Sequence, residues 1–174
     1  MSDIRIQIPA ELFAPAESSH FEGVWDLQTL QAGPDAYRFE QPVQWHADVT
    51  NTGDALLVTG LARGTALTDC ARCLEQAEFD LAGEIQGYFL IQNESEVPED
   101  MEGDEFETLS DDHVIDMAPL IQAALLVDLP LVPLCVDDCK GLCPRCGANL
   151  NEGSCACDSV DEQPFKENPF AVLK

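Results

Sequence analysis

Hydrophobic residues alternate with polar residues in several stretches of the chain, and a period of two is typical of β-strands with one buried face. Ile4, Ile6 and Ile8 alternate with polar residues until a proline ends the run. Between residues 37 and 49 most of the bulky side chains lie on odd positions, and Pro42 marks a sheet edge or a break in this stretch. The pattern predicts a short N-terminal strand and a longer extended stretch over residues 37–49.

Two longer extended runs follow a turn signal of the Asn-Thr-Gly-Asp type. Residues 55–68 are rich in Leu, Val and Thr, and the glycines Gly60 and Gly64 within this run indicate a bulge or a curved sheet. Bulky side chains return to odd positions from Phe79 to Ile91. Together these runs predict an antiparallel meander that is strongly curved.

One helix is expected after the strands. Asp116 has the side chain of an N-cap, Pro119 is tolerated in the first helical turn, and apolar residues extend the helix to about residue 128. Because this helix is apolar on most faces, it should pack across the sheet. Residues 10–36 are mixed in character and indicate no defined element. The expected fold class is α+β, with a curved antiparallel β-sheet or partial barrel and one packing helix.

The charge of the chain narrows the classes of partner. Among 174 residues there are 8 Lys and Arg against 33 Asp and Glu, which gives a formal net charge of −25. A field of that sign repels phosphate backbones and anionic membranes, so it does not support RNA binding through a broad basic face. Basic partner proteins are favoured instead.

Eleven acidic residues fall between residues 93 and 116, and a stretch this polar buries too little apolar surface to order itself. It therefore predicts a mobile acidic loop over about residues 93–113. No apolar run approaches the roughly 18 residues that a membrane helix needs. The first residues lack the basic and apolar regions of a secretory signal, so the expected compartment is the cytoplasm.

The chain is expected to divide into three parts. Residues 1–134 form a β-rich core that includes the acidic loop and a helix over about 116–128. Residues 135–158 form a cysteine-rich segment that holds a zinc knuckle. Residues 159–174 form an acidic tail ending in the sequence NPFAVLK.

Eight cysteines occur in a chain without an export signal, and clustered cysteines in a reducing compartment more often bind metal or carry out redox chemistry than form disulfides. They form four pairs that are close in sequence: Cys70 and Cys73, Cys135 and Cys139, Cys143 and Cys146, and Cys155 and Cys157.

The strongest of these signals is the stretch CKGLCPRCGANLN, in which Cys143 and Cys146 form a C-P-x-C-G knuckle. The proline favours a tight turn, and the glycine after the second cysteine lets backbone N–H groups point at sulfur. A tetrahedral structural zinc site needs two further thiolates. The favoured ligand set is Cys143, Cys146, Cys155 and Cys157; the alternative replaces the downstream pair with Cys135 and Cys139.

Two of the eight basic residues, Lys140 and Arg145, lie within this same segment. They can offset the negative charge of a zinc ion held by four thiolates. They are also candidate contacts for a partner.

The pair Cys70 and Cys73 leaves more than one interpretation open. It could hold a second metal, it could form a functional turn that exposes Arg72, or it could be the dithiol of a thiol or metal redox enzyme. The residues after Cys73 return to the strand period instead of starting a helix, which disfavours a thioredoxin-like dithiol. The chain has three histidines and no Ser-His-Asp pattern or phosphate-binding loop, so no other catalytic site is indicated.

Several of these landmarks occur together in a known family. The Cys-x-Arg-Cys turn between two long strands, the acidic loop, the helix running into residues 129–133, the stretch CKGLCPRCGANLN and the closing NPFAVL resemble the YceD family, the large ribosomal RNA subunit accumulation proteins. The resemblance is specific in residues 129–157 and 168–173 and loose in 10–36.

The resemblance implies a bacterial or organellar factor needed for normal levels of large-subunit (23S) ribosomal RNA, with no established enzymatic activity. It implies a contact with a large-subunit ribosomal protein or a pre-ribosomal particle, and a gene that often neighbours one for a zinc-binding ribosomal protein. Some relatives keep the turn that matches Cys70, Arg72 and Cys73 but lack the C-terminal cysteines. The resemblance therefore implies that a zinc site formed by the C-terminal cysteines stabilises the chain and is not the active centre of the whole family.

Overall fold

The structure is a computed structural model that describes residues 4–91 and 106–159. The predicted acidic tail, residues 159–174, lies outside the described residues except for its first residue, and so does the larger part of the predicted acidic loop.

The described residues form nine strands, one α-helix and two short 3-10 helical turns. The strands are β1 (Arg5–Gln7), β2 (Ser18–Trp25), β3 (Thr29–Ala32), β4 (Asp35–Phe39), β5 (Val43–Asn51), β6 (Ala55–Asp69), β7 (Gln76–Leu90), β8 (Glu107–Thr108) and β9 (Val114–Asp116). The helix α1 spans Met117–Asp128, and the 3-10 turns span Ala10–Phe13 and Ala156–Ser159.

The two longest strands, β6 and β7, form an antiparallel hairpin paired over all fifteen residues of each strand. The opposite edge of β6 pairs first with β5 and then with β4, and β2 and β3 extend the sheet beyond these two strands. The strands β4 and β5 therefore occupy successive parts of the same edge of β6, with residues 40–42 between them. The six residues of the turn between β6 and β7, 70–75, lie at one end of this hairpin.

The glycines of β6 allow close approach and do not form a bulge. The pairing of β6 with β5 runs without an offset through Gly60, and a Cβ atom there would collide with the carbonyl oxygen of His46. A Cβ atom on Gly64 would lie 3.1 Å from Cγ2 of Val43, close to the point where the partner of β6 changes. The expected antiparallel sheet is confirmed, and the glycines of β6 are needed for its packing.

Helix α1 begins as expected, because the Asp116 carboxylate accepts a hydrogen bond from the backbone N–H of Ala118 at 2.9 Å. Its buried face carries Met117, Ile121, Ala124 and Leu125 and packs mainly on β7. The helix backbone comes so close to β7 that a Cβ atom on Gly83 would collide with the carbonyl group of Ala124. The α+β fold with one packing helix is confirmed.

Residues 10–36, for which the sequence indicated no element, contain a 3-10 turn, the strands β2 and β3 and the start of β4. Asn51, at the end of β5, fixes this part of the chain because its buried side-chain amide donates to the carbonyl oxygen of Leu12 at 2.8 Å. Its side-chain oxygen accepts from the backbone N–H of Gly53 at 2.7 Å in the turn to β6.

Residues 106–113, at the end of the predicted acidic loop, include a short strand and a buried side chain. Strand β8 pairs in parallel with the end of β7, and Leu109 is buried with its N–H donating to the carbonyl oxygen of Leu90 at 2.8 Å. One apolar side chain in an acidic surrounding therefore anchors this stretch. In the described part of the chain, no helix is long and apolar enough to cross a membrane.

Candidate metal centres

The eight cysteines converge in two groups of four, and in each group the sulfur atoms all lie within 4.8 Å of one another. We name the first group the hairpin cluster; it consists of Cys70, Cys73, Cys135 and Cys139. We name the second group the terminal cluster; it consists of Cys143, Cys146, Cys155 and Cys157.

The hairpin cluster lies in the turn between β6 and β7. The turn is closed by a hydrogen bond from the N–H of Cys70 to the carbonyl oxygen of Glu75 at 2.7 Å. A second bond runs from the N–H of Leu74 to the carbonyl oxygen of Cys70 at 2.9 Å. The hairpin thus positions two sulfur atoms at its end.

The other two sulfur atoms come from the segment after α1. The backbone N–H of Ala71 donates to the carbonyl oxygen of Pro133 at 2.8 Å, which fixes the approach of this segment to the turn. The sulfur of Cys135 lies 3.5 Å from that of Cys73, and the sulfur of Cys139 lies 3.7 Å from that of Cys70. Cys70, Cys73 and Cys139 are buried.

Polar side chains support Cys139 from two directions. The guanidinium of Arg72 donates to its carbonyl oxygen at 2.8 Å, and the amide of Asn151 donates to its sulfur at 3.3 Å. The oxygen of the same Asn151 amide accepts from the backbone N–H of Lys140 at 2.8 Å. One asparagine therefore links the two clusters.

The terminal cluster is built from sequence-local contacts. The N–H of Gly147 donates to the carbonyl oxygen of Cys143 at 2.9 Å, and the N–H of Cys143 donates to the carbonyl oxygen of Ala148 at 2.8 Å. Cys143 is buried and Cys146 is exposed. This cluster is therefore more open to solvent than the hairpin cluster.

The ionisation of the thiols is uneven within each cluster. Burial opposes ionisation of Cys70, but hydrogen bonds from the backbone N–H groups of Cys73, Arg72 and Cys135 lower its pKa to about 6. In the terminal cluster, the backbone N–H groups of Cys146 and Arg145 lower the pKa of Cys143 to about 6.

Other thiols in each cluster hold their protons more tightly. The pKa of Cys135 is raised to about 12 by its hydrogen bond with Cys73 and by its burial. The pKa of Cys157 is raised to about 12 by its hydrogen bond with Cys146. Once one thiolate has formed, further negative charge in the same small volume is unfavourable. A divalent cation at the centre of the four sulfur atoms would remove that penalty.

The donor sets fit zinc. Four sulfur atoms that converge with no carboxylate or imidazole among them are typical of tetrahedral structural zinc sites. Backbone N–H groups aimed at Cys70 and Cys143 supply the surrounding hydrogen bonds that such sites require.

The structure brings together the four cysteines of the favoured terminal set. It places Cys135 and Cys139 with Cys70 and Cys73, and not with Cys143 and Cys146 as the upstream alternative required. The sequence alone did not predict that Cys70 and Cys73 join Cys135 and Cys139. The only signal for this grouping was that eight cysteines in four pairs divide evenly into two sets of four. Lys140 and Arg145 are both exposed beside the clusters.

Comparison with known proteins now bears on these centres. A family model described as "Large ribosomal RNA subunit accumulation protein YceD" matches residues 58–174. The chain belongs to the YceD family. The matched region begins within β6 and includes all eight cysteines. The YceD family is named for large ribosomal RNA subunit accumulation and is not known as a family of enzymes.

Individual relatives agree with this assignment. An uncharacterized protein of Mycobacterium tuberculosis is 33% identical over 102 residues, which cover 59% of this chain and 48% of that protein. The chloroplastic YCED homolog 1 of Zea mays, named as a large ribosomal RNA subunit accumulation protein, is 29% identical over 145 residues, covering 67% of this chain and 48% of its own length. The corresponding Arabidopsis thaliana protein is 26% identical over 143 residues, covering 67% and 44%.

The chain therefore spans about half the length of the curated relatives it matches. No solved structure matches the chain.

Proposed function

We propose that this chain is a non-enzymatic ribosome-biogenesis factor that supports the accumulation of large-subunit (23S) ribosomal RNA in the cytoplasm. The observation that carries the proposal is the match of the YceD family model to residues 58–174, which include both cysteine clusters. The chain would act through a large-subunit ribosomal protein or a precursor particle.

Each cluster would hold one structural zinc ion. Bound zinc supplies a divalent charge that stabilises four thiolates and crosslinks the segments that carry them. In the hairpin cluster, Cys70 and Cys73 would be joined to Cys135 and Cys139, so that the segment after α1 is held on the sheet. In the terminal cluster, the ligands would be Cys143, Cys146, Cys155 and Cys157.

A direct contact with RNA over a wide surface conflicts with the net charge of −25. The exposed side chains of Lys140 and Arg145 would provide at most a small contact with a phosphate or with an acidic group of the partner. A basic ribosomal protein matches the acidic surface better.

One observation favours a second function, that of a thiol redox enzyme. The pKa of Cys70 is lowered to about 6, as in reactive dithiols, and Cys73 follows at the usual spacing. Against this, Cys70 is buried, and its sulfur contacts Cys139 at 3.7 Å. Four sulfur atoms sharing one space suit a metal better than a free dithiol.

The proposal is tested by deleting the gene in its host and measuring the ratio of 23S to 16S ribosomal RNA. As a control, the gene for the full chain is put back into the deletion strain. The proposal expects a lower ratio that the restored chain corrects. A normal ratio in the deletion strain would contradict it. The redox alternative is tested by measuring disulfide reduction by the zinc-loaded protein and by its Cys73→Ser variant. An enzyme would be favoured if the original protein shows turnover and the variant loses that turnover while it keeps its zinc.

A further inference from the structure

The two knuckles have the same backbone conformation after their second cysteine. In the terminal cluster, Gly147 has a φ of 73° and its N–H donates to the carbonyl oxygen of Cys143 at 2.9 Å. In the hairpin cluster, Leu74 has a φ of 62° and its N–H donates to the carbonyl oxygen of Cys70 at 2.9 Å. Leu74 is thus the counterpart of Gly147.

Glycine adopts this left-handed conformation without strain, whereas a bulky residue rarely adopts it. A strained leucine would be understandable if its side chain filled a core. The side chain of Leu74 is 66% exposed instead. The chain therefore keeps a large apolar side chain in an unfavourable conformation, facing solvent, at a position where glycine fits the same turn.

Further exposed apolar side chains lie on the segment that contacts this turn. Leu131 is fully exposed, and Val132 and Val136 are more than half exposed. The hydrogen bond from Ala71 to Pro133 and the 3.5 Å contact between the sulfurs of Cys73 and Cys135 hold this segment against the turn that carries Leu74. We call these four side chains the apolar patch: Leu74, Leu131, Val132 and Val136.

Exposed apolar side chains are concentrated on the two segments that meet at the hairpin cluster. Of eight large apolar side chains exposed in residues 4–91 and 106–159, only Val24 and Leu57 lie on the sheet strands, and two more, Leu126 and Val127, end α1 just before the patch. Exposed apolar surface of this kind marks a site of protein interaction.

The charges around the patch define its partner. The exposed acidic residues next to it in sequence are Asp69, Glu75, Asp128, Asp137 and Asp138. The exposed basic residues next to it are fewer: Arg72, whose guanidinium donates to the carbonyl oxygen of Cys139, and Lys140. Apolar side chains with an acidic rim are complementary to a protein segment that combines apolar and basic residues.

We propose that the apolar patch is the docking surface for a basic protein segment with apolar side chains, and that Leu74 is its central contact. This inference rests on the proposed function, in which the partner is a large-subunit ribosomal protein, and it adds where on the chain that partner binds. The hairpin cluster would hold the turn and the segment after α1 in the arrangement that forms the patch.

The test compares the full zinc-loaded chain with Leu74→Asn and Leu74→Gly in binding to purified precursor particles of the large subunit, measured by co-sedimentation. Asparagine and glycine both tolerate the left-handed conformation, so the variants should keep their zinc and melt no lower than the original chain. The expected result is binding weakened at least tenfold. Val24→Asn, which changes an exposed apolar side chain on β2, is the matched control and should bind normally.

A photoreactive amino acid at position 74 then identifies the contact on the same particles. Crosslinks to a Lys- and Arg-rich segment of a ribosomal protein, absent when the photoreactive group is at position 24, are expected. Crosslinks to RNA or to a second copy of this chain would overturn the proposal, and so would undiminished binding by Leu74→Asn. These results would overturn the docking site alone, provided that the original chain binds the particles and the deletion strain has a low level of 23S RNA. A normal level of 23S RNA in the deletion strain would instead overturn the proposed function itself.

Discussion

The sulfur atoms of Cys73 and Cys135 lie 3.5 Å apart, although the two residues are separated by 62 positions in the sequence. A second link, from the side-chain amide of Asn149 to the carboxylate of Glu75 at 2.8 Å, joins the terminal knuckle to the same turn. The turn between β6 and β7 is therefore the point to which the whole cysteine-rich segment is attached. Metal binding at this point should affect a larger part of the fold than metal binding in the terminal cluster.

The first prediction concerns the unequal importance of the two clusters. Cys135→Ser and Cys157→Ser should each lower the zinc content from two equivalents to about one, because each removes one ligand of a different site. Cys135→Ser should also lower the melting temperature by on the order of 10 °C, since the loss of a tightly bound ion that crosslinks distant segments costs several kcal/mol. Cys157→Ser should lower it by less than half of that.

Zinc analysis by mass spectrometry and thermal unfolding by circular dichroism check both values. Equal losses of melting temperature in the two variants would contradict the distinction between a long-range and a local site. Two equivalents of zinc in either variant would show that the assigned ligand is not one.

The second prediction is a dependence of zinc affinity on pH. Zinc binds the deprotonated sulfur atoms, so protons compete with it, and affinity falls as the pH falls. Above pH 6, Cys70 or Cys143 is already a thiolate because its pKa is about 6, and binding displaces fewer protons. Below pH 6 one more proton per site must leave.

A plot of the logarithm of the zinc affinity against pH should therefore become steeper by about one unit below pH 6. Competition with a chelator between pH 5 and 8 measures this slope. The variants Cys157→Ser and Cys135→Ser allow the two sites to be followed one at a time. A slope that stays constant through pH 6 would contradict the lowered pKa values.

The third prediction concerns the crossing of α1 over β7. Gly83→Ala should destabilise the fold by about 2–3 kcal/mol, because the added Cβ atom would collide with the carbonyl group of Ala124 and force the helix away from the sheet. Gly87→Ala is the matched control on the same strand, since its Cβ atom would meet side-chain atoms and no backbone: Phe89 at 3.0 Å and Leu120 at 3.1 Å. Urea unfolding should give a distinctly smaller loss for the control, and similar losses would contradict the backbone collision.

The long strands could be predicted from a period of two or from their residue types, and the helix from its N-cap and its apolar residues. Strand β2 was missed because Ser19 and Gly23 lie at its partly buried positions while Val24 is exposed, so its pattern is weak. Leu109 was missed because a single buried leucine in an acidic stretch has no periodic signal at all.

The division of the cysteines into two sets depends on which segments meet in space. The C-P-x-C-G knuckle is a local signal, and it was enough to single out Cys143 and Cys146. The partnership of Cys70 with Cys139 depends on the length of the β6–β7 hairpin and on the path of the chain after α1, neither of which the local spacing records. The strain at Leu74 likewise emerges only from the backbone conformation of the turn.

The last prediction concerns Asn51, which joins the 3-10 turn before β2 to the β5–β6 turn. Asn51→Ala should lower the free energy of unfolding by about 3 kcal/mol, because it removes two hydrogen bonds and leaves the carbonyl oxygen of Leu12 without its side-chain donor in a buried position. Asn51→Asp should be worse, since it replaces that donor with a buried carboxylate facing the same oxygen. Ser18→Ala is the control, because its hydroxyl bond to Thr50 is exposed and should contribute less than about 1 kcal/mol. Urea denaturation of the three variants gives the comparison, and an aspartate variant as stable as the original chain would show that Asn51 does not hold these two turns together.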